Sequence, residues 1–143
     1  VFVFDLDQTL VNNCPRTIAI LREFANHTDA TFDFQDAFKN ISEKHYEFSI
    51  VKMLLNAGIV QQEVISSALK FWMRRFFSND YLYLDTPIAG ATEYVKALYK
   101  KGGVIVYLTA RDKNNMEEGT IRSLQNMDFP LDDSSRSLCC NSI

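Results

Sequence analysis

The 143-residue sequence predicts an α/β fold, a parallel sheet whose chain is interrupted by a long all-helical insertion. Two short β-branched and aromatic runs, Val1-Phe2-Val3-Phe4 and Val104-Ile105-Val106-Tyr107-Leu108, have the continuous apolar character of parallel strands buried on both faces. Between them, over about a hundred residues, apolar side chains recur at helical spacings of three and four. Composition agrees: 47% hydrophobic residues can fill one sizeable core, and 5 glycines with 3 prolines are too few for a turn-rich all-β chain.

The elements follow in order. The first apolar run ends in Asp5-Leu6-Asp7, as a buried parallel strand does on reaching its carboxyl end. Pro15 suits the first position of a helix through Ile18, Leu21 and Ala25. Phe34, Phe38, Ile41, His45, Phe48, Val51 and Leu55 form one apolar stripe, which predicts a single helix of roughly 20 residues ended by Asn56-Ala57-Gly58. Ile65, Leu69, Trp72 and Phe76 predict another helix, broken by Asn79-Asp80 and Thr86-Pro87.

Ala91, Tyr94, Val95 and Leu98 predict a helix ending at Gly102, which with the second run reads as the returning half of a βαβ crossover. Met116, Ile121 and Leu124 predict a last helix, stopping before Phe129-Pro130, and 131–143 carry no clear element. The expected organisation is a core of 1–13 and 85–143 around an insertion at 14–84. Aromatic rings of the insertion, at helical spacing, are expected to pack as core rather than cage a ligand.

Charge narrows the function. Fifteen Lys and Arg against eighteen Asp and Glu leave a formal charge of -3, without the basic run that would neutralise a string of phosphates, so nucleic-acid binding is not expected. The longest apolar run, 104–108, is far short of the roughly 20 residues of a membrane helix, so no membrane partner is expected either. Three cysteines, Cys14, Cys139 and Cys140, and two histidines indicate neither a disulfide framework nor a zinc site, which makes the cytoplasm the default compartment.

The chemistry concentrates at Asp5 and Asp7, two apart where the first strand leaves the sheet. In open α/β folds that edge binds ligands. Two close carboxylates repel, and they invite either a hard cation such as magnesium or a proton shared onto one of them. One carboxylate then has the means to attack phosphorus while the other moves a proton. Arg111 reads equally as an anion contact or as a surface partner of Asp112. Thr109 reads either as a donor to a ligand or as a hydroxyl satisfied by a local turn.

The string Val-Phe-Val-Phe-Asp-Leu-Asp-Gln-Thr-Leu at 1–10, followed by Val-Ile-Val-Tyr-Leu-Thr-Ala-Arg at 104–111, resembles the first two motifs of the haloacid dehalogenase-like phosphohydrolase superfamily. Asp85-Thr86-Pro87-Ile88-Ala89-Gly90-Ala91 is similar to the segment with which those proteins return from cap to core. The resemblance implies a Rossmann-like parallel sheet core, incomplete here, with an inserted all-helical cap that closes as a lid. It implies a magnesium-dependent phosphate-ester hydrolase acting through an aspartyl-phosphate on a small phosphorylated substrate. By it, Asp5 is the nucleophile and Asp7 the general acid and then base. Mg2+ is held by the Asp5 carboxylate and the Asp7 main-chain carbonyl, and the phosphoryl group is bound by the Thr109 hydroxyl and backbone N–H groups such as that of Ala110. Thr9 orders the turn after Asp7.

The sequence also departs from that pattern. After Thr109 the only lysine is Lys113, too close to serve as the superfamily's phosphoryl-steadying lysine, and the only late acidic pair, Asp132-Asp133, reads as a loop. The expectation is therefore of a core cut short after the second motif. Its alternative function is a catalytically silent chain that binds phosphate or a partner without turnover.

Overall fold

The computed structural model describes residues 1–27, 32–131 and, in its backbone course, 138–141. The chain divides into two compact units, Val1–Asn13 with Phe77–Ile143, and Cys14–Phe76.

The first unit is a mixed α/β core of the Rossmann-like kind. Strand β1 (Phe2–Asp5) pairs in parallel with β4 (Ile105–Asp112), Phe4 opposite Tyr107 and Asp5 opposite Leu108. On its other side β4 pairs in parallel with β5 (Leu138–Asn141), giving the order β1-β4-β5. Helices α5 (Ala91–Lys100) and α6 (Lys113–Asn126) provide the crossovers. Side chains alternate along β4: Ile105, Tyr107, Thr109 and Arg111 are buried, Leu108 and Ala110 exposed. Of these, Ile105 and Tyr107 meet Leu6, Val11, Val95, Leu124 and Phe129 in one apolar cluster, and the Tyr107 hydroxyl donates to the Pro130 carbonyl at 2.8 Å.

Three expectations change in this unit. The first run is not buried on both faces: β1 sits at an edge of the described sheet, with Val3 58% exposed. Its Phe4 shares the apolar cluster, whereas Val3 alternates to the opposite face. The second strand does not end at Leu108 but runs on to Asp112, because β5 continues the pairing as far as Asp112 opposite Asn141. Thr109, the residue just past the predicted run, thus lies within β4. The tail also contributes an element, since backbone pairing with β4 recruits four residues, Leu-Cys-Cys-Asn, whose composition alone signals no strand. The Asp132-Asp133 pair lies outside the described residues.

A two-stranded antiparallel ribbon, β2 (Val11–Asn12) with β3 (Thr86–Pro87), joins the segments that flank the helical unit. The boundary expected at 84 falls instead at 76, because the 3-10 turn Asn79–Leu84 packs on α6. Gly119 N–H donates to Asn79 Oδ1 at 2.7 Å, Ser123 Oγ to the Leu82 carbonyl at 2.9 Å, and Leu82 is fully buried. Helix α5 ends in a Schellman turn: Gly102, at φ 83°, and Gly103 return N–H bonds to the carbonyls of Tyr99 and Leu98.

The second unit is all helical: α1 (Cys14–Phe24), α2 (Gln35–Lys39), α3 (Ile50–Asn56) and α4 (Gln62–Phe76). The single helix expected over the stripe from Phe34 to Leu55 is broken into pieces by polar side chains that bond to nearby backbone. Asn40 Nδ2 donates to the Asp36 carbonyl, Ser42 forms a capping box with His45, and Ser49 caps α3. The aromatic stripe is core where it is buried, Phe24 lying 4.9 Å from Phe38 and 5.2 Å from Phe71 between ring centroids. Phe48 instead is 96% exposed. Arg16, fully buried, donates to the Phe76 carbonyl at 3.0 Å and stacks on its ring at 3.8 Å, fastening the first turn of the unit to its last residue.

Candidate functional site

The site grows from the end of β1. The Leu6 carbonyl accepts from the N–H groups of Thr9, Leu10 and Val11, which folds the chain sharply back on itself. Gln8 takes the left-handed conformation there, at φ 62°, a place that usually favours glycine. Asp5, exposed, receives a hydrogen bond at Oδ2 from the Thr9 hydroxyl at 2.9 Å. Thr9 thus orders this turn through Asp5, the residue before the fold-back.

Asp7 points to different company. Arg111 donates from Nε to Asp7 Oδ2 at 3.0 Å and from Nη2 to Asp7 Oδ1 at 2.8 Å, a two-pronged pairing, while Asn13 Nδ2 approaches Oδ1 at 3.2 Å. The same Nη2 reaches Asp85 Oδ2 at 2.9 Å, and Nη1 donates to Thr120 Oγ1 at 3.1 Å. The side chains of Arg111 and Asp85 are 3% and 0% exposed, that of Asp7 32%. Burial works against the guanidinium's charge, but the hydrogen bonds and charges of Asp7 and then Asp85 outweigh it, holding Arg111 above its ordinary value.

Arg111 is therefore neither a surface group nor a partner of Asp112. Asp112 instead caps α6, accepting from the N–H groups of Asn114 and Asn115. Thr109 is buried, and its Oγ accepts the Arg111 N–H at 3.2 Å, the local-turn geometry. That bond uses an acceptor lone pair of the hydroxyl and leaves its proton to donate elsewhere. Ala110 follows in β4 with its side chain exposed. In register, Asp5 lies opposite Leu108, so Thr109 and Ala110 come next along the neighbouring strand at the same end of the sheet.

The sequence reading singled out Asp5, Asp7, Thr109 and Ala110. It passed over Asn13, Asp85 and Thr120 as partners. Thr120 carried a signal, since it sits four residues after Met116 on the buried face of α6, where a polar side chain needs a partner. Asp85 carried none, as its partner is distant in the chain.

For a divalent cation the donor set is lean. Among the described residues no group of three or more His, Cys, Asp or Glu side chains lies close enough to hold one. Both Asp7 oxygens serve Arg111, which leaves the exposed Asp5 carboxylate and main-chain carbonyls as open hard ligands. Magnesium commonly takes one or two carboxylates and completes its shell with water and substrate phosphate.

The sequence matches no described protein family and no curated protein. Among solved structures it is similar to a protein from Lactobacillus delbrueckii subsp. bulgaricus provisionally named a phosphoglycolate phosphatase, with a TM-score of 0.53 and 14% identity. The match covers 98% of this chain and 64% of that one, so this chain spans less than two thirds of its neighbour. The likeness is one of fold. Among the described residues no helix is long and apolar enough to cross a membrane.

Proposed function

We propose that this chain is a phosphate-ester hydrolase of the haloacid dehalogenase-like kind, acting on a small phosphorylated substrate through an aspartyl-phosphate. The observation that carries the reading is the exposed Asp5 carboxylate at the carboxyl end of β1, with Thr109 one residue beyond its register partner on β4. The name of the structural neighbour, a phosphatase, supports it.

In this reading an Asp5 carboxylate oxygen attacks phosphorus, forming the acyl-phosphate bond as the substrate's ester oxygen departs. Thr109 donates its hydroxyl to a phosphoryl oxygen, with the Ala110 N–H beside it. Water then attacks phosphorus, releasing inorganic phosphate and restoring Asp5. Asp7 manages the protons. It gives a proton to the departing oxygen as general acid and then takes one from the attacking water as general base, and Arg111 and Asn13 orient its carboxylate. Asp5 and the Asp7 carbonyl would hold Mg2+, which supplies positive charge against the phosphoryl oxygens.

A second reading, a chain that binds phosphate without turnover, is favoured by the Arg111 lock on Asp7, whose two carboxylate oxygens both accept from the guanidinium. One assay separates the two: magnesium-dependent hydrolysis of 4-nitrophenyl phosphate by this chain and by Asp5→Asn. Loss of rate in the variant supports hydrolysis through Asp5, and equal rates, or none above buffer, overturn it.

A further inference from the structure

A cavity of about 330 Å3 opens in the helical unit, lined by His27, Ser67, Lys70, Phe71, Arg74 and Arg75. At roughly 30 Å3 per water it has room for about ten waters, ample for a small oxyanion. Five of these residues occupy one face of α4 at spacings of three and four. Phe71 is buried as the floor, the Arg75 guanidinium lies 3.4 Å above its ring, and His27 meets the same ring edge-on at 5.0 Å.

Arg75 is committed, donating from Nε to Glu23 Oε1 at 3.2 Å. Lys70 and Arg74 are exposed and have no acidic partner among the described residues. They stand four apart on one helix face, where like charges repel. The helix dipole favours cations only within the last turn, so it accounts for Arg74 and Arg75 but not for Lys70. In a chain of formal charge -3, three cationic side chains and a hydroxyl converge on one cavity, and among the described residues a single acid, Glu23, pairs with them.

We propose that this cavity is an anion site for a small phosphate-bearing ligand, with Lys70 and Arg74 as its charge contacts and Ser67 Oγ as a neutral donor. Arg74 offers the fork that matches two oxygens of a phosphate, and Lys70 a point charge beside it. Phe71 is already covered by Arg75 and His27, so recognition is of the phosphate rather than of an aromatic base. None of the residues proposed for hydrolysis takes part.

The test is a titration of the 143-residue chain at constant ionic strength, followed through backbone amide resonances. Inorganic phosphate, pyrophosphate and an alkyl phosphate monoester are compared with acetate and chloride. Saturable shifts centred on Ser67, Lys70 and Arg74 with the phosphate ligands alone are expected, and the three arms distinguish a free from an esterified phosphate. Lys70→Gln and Arg74→Gln, at exposed positions, are each expected to weaken binding about tenfold, the loss of one charge-assisted contact. Non-saturable shifts, shifts spread evenly over the chain's basic residues, equal binding of acetate, or an unchanged affinity in the double variant would overturn the proposal.

Discussion

The guanidinium of Arg111 grips both carboxylate oxygens of Asp7, at 2.8 and 3.0 Å, from a position 104 residues away in the chain. Its third anchor, Asp85, is fully buried, so the cation spans two carboxylates of which one has no access to water. Arg111→Ala strands Asp85 in the interior and is expected to destabilise the fold by about 3–5 kcal/mol in urea titration. Arg111→Lys keeps the charge but not the fork and is expected to lose less. Because Arg111 is held above its ordinary value, its contribution is fully present at neutral pH and is lost only under strongly alkaline conditions. A full-size loss between neutral and mildly alkaline pH would contradict that assignment.

Phe38 and Phe48 belong to the same stripe in the sequence and have opposite fates, 0% and 96% exposed. Phe38→Ala is expected to cost about 3–5 kcal/mol. Phe48→Ser is expected to stay within about 0.5 kcal/mol of the parent. Thermal or urea unfolding decides, and similar losses at both positions would restore the single long helix.

Gln8 holds a left-handed backbone at φ 62° between Asp7 and Thr9. Gln8→Val puts a β-branched side chain where it is least tolerated and is expected to cost about 1–3 kcal/mol. Gln8→Gly relieves the strain but gives up the 2.7 Å bond from Nε2 to Asn13 Oδ1 and frees the unfolded chain, so its net effect is expected to be below about 1 kcal/mol. Calorimetry of the two variants side by side measures the difference.

Cys14 is buried, and burial first, then the charge of Glu43, pushes its thiol above the usual range. A raised acid keeps its proton in the folded chain after the unfolded chain has lost it, so stability falls as pH rises past the ordinary thiol value. Cys14→Ala is expected to flatten that decline. Alkylation mapped by mass spectrometry is expected to leave Cys14 largely unmodified at neutral pH, and rapid labelling there would refute its burial.

Local pattern by itself determined that this is an α/β chain with an all-helical insertion, because β1 is a continuous β-branched and aromatic run and strand β4 and helices α4, α5 and α6 advertise their buried faces in their own spacing. It also marked Asp5, Asp7 and Thr109, since a strand's end and the residues just past it are contiguous in sequence. Tertiary structure alone decided the rest. The stripe from Phe34 to Leu55 has helical periodicity throughout, yet Asn40, Ser42 and Ser49 bond to local backbone and divide it, a competition periodicity does not record. Strand β5 exists through its pairing with β4, not through its four residues. The partners of Arg111 come from a turn at Asp7, a segment at Asp85 and a helix at Thr120, which meet only when the sheet and α6 are assembled. A buried ion pair is a relation between distant parts of the chain, and its energy appears only after folding has excluded the water between them.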